Sequence, residues 1–317
     1  MNLKSKIPNS KLKIEKILIA LLRAILIVSI GYVLINPLFQ ILSNSLKTNG
    51  DVLDTSVVWI PKHFDVFNYI NAVDIVKYFS SLLNTLKVQI LSGGIEIITC
   101  AVVAYGFARF PAPEKKIYYA VLLLMVIVPI QLIMLPNYLN YRFFDFFGLL
   151  KLVSKITGKN IYINLINTPS TFLLPSLFAV GYRSGIFILI YIQFFKGLPK
   201  ELEEAAWVDG AGPFRTFVKV ILPSSGVAIL TVGILSVIWH WNEYYLSSTY
   251  FNGNYSLAVQ LSRIKDTLQQ AYLRIDVNSG LQISMAACVL YILPILVFYL
   301  IFQRKFIKSI DRVGIVG

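Results

Sequence analysis

The sequence predicts an all-α polytopic membrane protein of six transmembrane helices, and three observations carry that expectation. Of the 317 residues, 56% are hydrophobic and 14% are charged, with a mean hydropathy of +0.69, whereas a soluble domain carries about a quarter charged residues. The apolar residues gather into six runs, each near the roughly 20 residues that a spanning helix requires. Between the fourth and fifth runs lies a charged island, residues 196–221, too polar to cross a bilayer.

The first run, 17–42, follows Lys4, Lys6, Lys11, Lys13 and Lys16, as a signal peptide would. Its apolar stretch is too long for one and no small-residue cleavage site follows, so it reads as a retained span. The remaining runs are 82–107, 117–139, 172–195, 222–244 and 281–302. Pro129, Pro136, Pro175 and Pro294 fall in or near these runs and are expected to kink helices whose neighbours re-satisfy the backbone. The expected organisation is a basic tail, 1–16, one transmembrane domain, 17–302, and a C-terminal tail, 303–317. Residues 151–170 have the polar, turn-rich character of a surface excursion.

Charge orients the bundle. The N-terminal tail, the 108–116 turn, the island and the C-terminal tail hold sixteen Lys and Arg between them, while the longer alternate loops hold ten. The positive-inside rule then places both termini and the island in the cytoplasm. The net charge of +13 is explained by this topology; no basic stripe shows the signature of a nucleic-acid reader, so no nucleic-acid partner is expected. Cys100 and Cys288 lie far apart in apolar runs and make no disulfide or metal framework. His63 and His240 stand alone, and His240 reads as packed rather than catalytic. Without a phosphate-binding Gly-Lys-Ser/Thr loop, HExxH or GxSxG motif, the chain is expected to be no enzyme and to hydrolyse no nucleotide itself.

The island's centre, Pro-Lys-Glu-Leu-Glu-Glu-Ala-Ala-Trp-Val-Asp-Gly over 199–210, predicts a helix of about ten residues. Pro199 suits its first position, and Glu201, Glu203 and Glu204 favour the positive end of the helix dipole. Gly210 suits the left-handed residue that ends a helix. Leu202, Ala205, Ala206 and Asp209 recur at helical spacing and are expected to share one side. Ala205 and Ala206 are small enough for another protein's backbone to approach, and Glu204 offers hydrogen bonds or an ion pair.

Here the sequence resembles a known family. Glu204-Ala205-Ala206, three residues, Gly210, nine residues, Val220, one residue, then Leu222-Pro223 is similar to the cytoplasmic signature of ABC importer permeases, which usually has Ile where this chain has Val220. The flanks resemble the carbohydrate-uptake branch, typified by the second, six-span permease of the maltose transporter. They are the approach 193–206, Ala104-Tyr-Gly-Phe-Ala-Arg-Phe110, Pro129 to Pro136, Trp241-Asn242-Glu243 and the end from Phe302 to Gly317. The resemblance runs from about residue 82 onward. It implies the type I ABC importer permease fold, with the island as a cytoplasmic coupling helix seated in a cleft of a separate ATPase. It also implies a second permease subunit in a heterodimer, two ATPase subunits that hold ATP and Mg, and an extracytoplasmic sugar-binding protein. No cofactor is expected on this chain. The coupling residues implied are Leu202, Glu204, Ala205, Ala206, Asp209, Gly210 and Pro223.

Polar residues inside the runs are candidates for the translocation path, since an ionisable group in hydrocarbon costs about 2.5–3.5 kcal/mol and so faces partners or water. They are Asn84, Glu96, Arg183, Gln193, Trp241, Asn242 and Glu243. The alternative is structural: Lys87 snorkels to an interface and Arg183 pairs with Glu96. Trp239, Trp241, Tyr244 and Tyr245 form either an interfacial aromatic belt or a stacking surface for sugar rings; in the maltose-type pair, the resemblance assigns visible substrate contacts to the other subunit. The basic C-terminal tail anchors to anionic headgroups or approaches the ATPases. Rival readings are a permease for amino acids, peptides or ions, a secondary transporter, and a membrane-embedded enzyme. The second would show inverted-repeat hydropathy, and the third a paired acid–base or metal constellation; neither pattern is present.

Overall fold

A computed structural model of the chain describes residues 9–146, 148–253, 255–271 and 280–313. Lys4 and Lys6 of the basic tail, Arg274, one of the ten basic residues of the alternate loops, and residues 314–317 lie outside the described residues. Among the described residues the secondary structure is helical, with two isolated β-bridges and no strand.

Three of the six apolar runs are single helices long and apolar enough to cross a membrane. These are within α1 (Asn9–Ser45), α2 (Tyr78–Arg109) and a C-terminal helix spanning Gly280–Val313. The apolar window of α1 is exposed throughout. A wide turn over Thr85–Ile90 loosens α2 near its start.

The other three runs are bent or interrupted. Run 117–139 becomes α3 (Lys115–Ile127) and α4 (Ile130–Arg142), bent by 100°. Val128 and Pro129 cause the bend: both are extended, with ψ of 119° and 137°, because the ring of Pro129 disfavours helical backbone at the residue before it. Run 172–195 splits into α5 (Ser170–Leu177) and α6 (Ser184–Gly197). Pro175 sits in the last turn of α5, and Ala179 and Arg183 take left-handed φ of 56° and 67° in the break. The Val180 N–H donates to Pro175 O at 3.0 Å and the Ala179 N–H to Ser176 O at 3.2 Å, so α5 closes with a Schellman stop built on an alanine. Run 222–244 bends by 79° between α8 (Pro213–Ser224) and α9 (Gly226–Trp241), after α7 (Glu201–Val208). Pro223 lies at this bend. It lacks the N–H that would continue the ladder, and a wide turn over Phe217–Ile221 precedes it.

Two compact units divide the chain. One comprises Met1–Ala72 and Leu268–Leu290; the other comprises Val73–Thr267 and Tyr291–Gly317. In the first, the segment after α1 folds on buried polar groups. Lys47, counted above as a loop charge, is buried, and its Nζ donates to Val57 O and Val58 O at 2.9 and 3.2 Å. Asn68 Nδ2 donates to Ser45 O and Lys47 O at 3.2 and 3.0 Å.

The core of the second unit lies where α2, α6 and α9 meet. α2 contributes the small Cys100, Ala101 and Ala104, while α6 presents Phe187, Tyr191 and Phe195 one turn apart, all buried. Small residues on one helix and rings on the other let the backbones approach, the pattern that holds helices together in lipid. The 151–170 excursion is more regular than expected. Leu149–Thr157 is a helix with Leu149, Leu152 and Ile156 exposed on one stripe, and Phe144 bridges Ile163 behind it.

Candidate functional site

The island folds as a separate short helix between α6 and α8. Leu198 is extended (φ −75°, ψ 139°), as a residue before proline must be, so the chain leaves α6 before it turns into α7. Pro199 consequently stands outside α7, next to the capping residue Lys200, rather than at the first helical position. The C-terminal stop is as expected. Gly210 has φ of 77°, its N–H donates to Trp207 O at 3.0 Å, and the Ala211 N–H donates to Ala206 O at 2.9 Å. These two bonds are the Schellman pattern. A Cβ at Gly210 would meet nothing within 4 Å, so the glycine is required by backbone conformation and not by space.

α7 buries one stripe and exposes another. Glu203 and Ala206 face inward, while Leu202, Glu204, Ala205 and Asp209 are exposed. The four-residue face expected from spacing therefore loses Ala206, whose position on the helix falls at the border of the packed side. Pro223 is exposed beyond the wide turn.

Glu203 carries the attachment, a role the sequence did not assign to it. Its carboxylate pairs with Arg109, at the end of α2, with Nε 3.0 Å from Oε2 and 3.1 Å from Oε1. Arg109 Nη2 also donates to Leu198 O at 2.9 Å. Both side chains are under a tenth exposed. Single-sequence patterns gave Arg109 a topological role and Glu203 a helix-dipole role; their separation of 94 positions carries no periodic signal linking them.

The polar residues of the runs scatter. Glu96 is fully buried in α2, accepting from Ser176 Oγ at 2.9 Å, with Oε2 lying 3.7 Å from His240 Nε2. It does not pair with Arg183, whose guanidinium lies over the rings of Tyr182 and Trp239 at 5.3 and 5.6 Å. His240 is packed, its Nδ1 2.9 Å from Ser236 O. Glu243 caps the short helix α10 (Tyr245–Tyr250), accepting from the N–H groups of Leu246 and Ser247 at 2.6 and 2.9 Å and from Ser247 Oγ at 2.6 Å. Trp241 is buried against Tyr291, and Asn242 accepts from Tyr291 Oη at 2.9 Å. Asn84 is half-buried before the wide turn of α2, and Lys87 and Gln193 are exposed.

A cavity of about 760 Å³ opens where α3 and α4 diverge, and Arg183 alone among the path candidates lines it. The break between α5 and α6 and the start of α10 form its other walls. The island and this cavity stand at opposite ends of α6, about 21 Å apart by helical rise.

Known proteins share this architecture and sequence. The probable starch degradation products transport system permease protein of Thermoanaerobacterium thermosulfurigenes is 26% identical over 95% of this chain and 97% of its own length. The diacetylchitobiose uptake system permease protein of Streptomyces coelicolor is 28% identical over 88% of this chain and 83% of its own length. A crystal structure of a bacterial ABC transporter involved in the import of the acidic polysaccharide alginate contains a chain that superposes with a TM-score of 0.72. The match covers 92% of this chain and 98% of that one at 19% identity, which establishes the shared fold. The profile of one family matches residues 97–312, the stretch that holds the C-terminal part of α2, the pinned island, the cavity and nearly all of the C-terminal helix. The chain belongs to the family of binding-protein-dependent transport system inner membrane components.

Proposed function

We propose that the chain is one permease subunit of an ATP-driven carbohydrate importer, and that α7 is the handle by which separate ATPase subunits move it. The observation that carries this reading is the construction of α7. It is a short helix stopped sharply at Gly210, pinned from behind by Arg109 and Glu203, and open along Leu202, Glu204, Ala205 and Asp209. A docking element needs a rigid back and a free front, and α7 has both. Ala206 contributes by packing the back, and Pro223 by fixing the bend at which the loop re-enters the bundle.

Carbohydrate as cargo is supported by the relatives named for starch products and diacetylchitobiose. The assembly proposed has a second, different permease, two ATPases that hold ATP and Mg, and an extracytoplasmic binding protein that delivers the sugar; this chain binds no cofactor. The distribution of Lys and Arg supports cytoplasmic termini and a cytoplasmic island, with tails over 1–16 and 303–317 flanking the transmembrane domain.

Replacing Gly210 with Val tests the handle. The expected outcome is normal insertion and complex formation with ATP-driven sugar uptake lost, because a β-branched residue resists φ of 77° and distorts the stop. Glu204 and Ala205 changed together to Lys and Trp should uncouple in the same way. Wild-type uptake in these variants would show that α7 is not the coupling element.

A further inference from the structure

The helix Leu149–Thr157, in the excursion between α4 and α5, is not accounted for by coupling. Gly148 and Gly158, with φ of 94° and 68°, bracket its nine residues. Leu149, Leu152, Val153 and Ile156 recur every three or four positions and so share one face. They are 61%, 59%, 42% and 85% exposed. Lys151 and Lys155, one turn apart, stand exposed on the other side, and Lys159 follows just beyond the stop.

Left in water, this apolar stripe gains nothing, yet the fold holds it rigidly. The backbones of Phe144 and Ile163 exchange two hydrogen bonds of 3.0 Å. The Leu165 N–H donates to Tyr141 O at 2.9 Å, and the Asn167 N–H to Tyr250 O at 2.8 Å. Asp145 Oδ1 accepts from the Lys151 N–H at 3.0 Å, and Ser154 Oγ from the Ile161 N–H at 2.9 Å. The excursion is thus tied to the ends of α4 and α10, and residues 143–148 alone separate α4 from the helix.

Charge, flanking rings and permanence decide what covers the stripe. Residues 146–170 hold Lys151, Lys155 and Lys159 and no Asp or Glu, a positive surplus that matches the phosphates of lipid headgroups. Lys151 Nζ also lies 3.5 Å from Asp145 Oδ2, so Lys155 and Lys159 carry most of that surplus. Phe143 and Tyr162, in the two segments that flank the helix, meet edge to face at 5.1 Å and are both about half exposed. Aromatic rings gather at the boundary between headgroups and acyl chains. A binding protein that arrives and leaves with each load would return four apolar side chains to water in every cycle, whereas the bilayer is always present.

We propose that the helix Leu149–Thr157 lies flat in the outer headgroup layer of the bilayer. Leu149, Leu152, Val153 and Ile156 sit among the upper acyl carbons, and Lys155 and Lys159 reach headgroup phosphates. A helix with one apolar and one basic face takes this orientation, sinking about 5–10 Å. It holds the outer end of α4 at a fixed depth. Which leaflet it meets rests on the orientation proposed above; its contact with lipid does not.

The test uses the complete complex, co-expressed with its partner subunits and reconstituted in nanodiscs of phosphatidylethanolamine and phosphatidylglycerol. A bimane fluorophore is attached to Leu152→Cys, to Ile156→Cys or, for the opposite face, to Lys155→Cys. The unsubstituted chain, whose Cys100 is buried and Cys288 half-buried, sets the background. Bromine on the acyl carbons nearest the headgroup should quench Leu152→Cys and Ile156→Cys roughly threefold more than Lys155→Cys. Adding loaded binding protein should leave that difference unchanged. Equal quenching at all three positions, or none at any, overturns the proposal. Quenching that vanishes when binding protein is added, or that appears only when the second permease is left out, also overturns it, because a protein then covers the stripe. In the Ile156→Cys chain, adding Lys155→Gln and Lys159→Gln should lower quenching roughly twofold; no change overturns the role given to the lysines.

Discussion

Arg109 and Glu203 show how much one pair decides. Two charges under a tenth exposed stay buried only because each satisfies the other, with Leu198 O taking a third bond. Removing one partner leaves the other charge uncompensated, which costs about 3–5 kcal/mol. Arg109→Ala is therefore expected to lower the thermal midpoint of the detergent-solubilised protein sharply. The double variant Arg109→Leu/Glu203→Leu should recover part of that loss, since paired apolar replacement removes both desolvation penalties. Equal midpoints for the single and double variants would mean the pair is not coupled. Gly210 shows the opposite case: space is free around it, and only its left-handed φ excludes other residues.

At the scale of elements, the break between α5 and α6 is finer than sequence patterns resolve. Hydropathy over 172–195 reads as one span, because averaging over a window cannot see a stop made by a left-handed alanine and a buried carboxylate. A Cβ on Gly181 would lie 1.8 Å from Glu96 Oε1 and 2.9 Å from Ser176 Oγ. Glu96 is fixed by Ser176 and enclosed on all sides, so it has nowhere to swing. Gly181→Ala is expected to cut the yield of folded protein in membranes severely, whereas Gly197→Ala, with open space at its Cβ, should leave yield near wild type. Similar yields from the two would remove the close-packing argument. The helix ends that local chemistry controls were legible: Gly210 as a stop, Pro129 as a bend, and the charged start of α7; the bend at Pro223 was not foreseen. What was not legible depends on contacts across long separations. Arg109 with Glu203 is such a contact, as are Glu243 turned inward to cap α10 and the cavity made by a 100° bend whose size no proline announces.

At the scale of the molecule, the chain is a transport component whose fold and family were readable from the spacing of one short loop and its flanks. The division of labour remains the proposal to test. Purified alone, the chain should show no ATP hydrolysis above background; co-expressed with its partner subunits, the complex should hydrolyse ATP and respond to loaded binding protein. Hydrolysis by the isolated chain would contradict the assignment of that chemistry elsewhere. The carbohydrate cargo, in turn, depends on transport by the assembled complex and not on any residue of α7.

The pinning of α7 has a mechanical consequence. A loop tethered only by its two covalent ends stretches when pulled, and most of the displacement is lost as slack. α7 is continuous with α6 through Leu198, and that same stretch is gripped by Arg109 on α2. With two helices holding it at separate points, a sideways load on its exposed stripe becomes a torque on the pair α2 and α6. Their interface packs small residues against rings in the core of the second unit, so the two are expected to turn together as one stiff body. The residues that set the stroke of this transporter would then be those that stiffen α2 against α6.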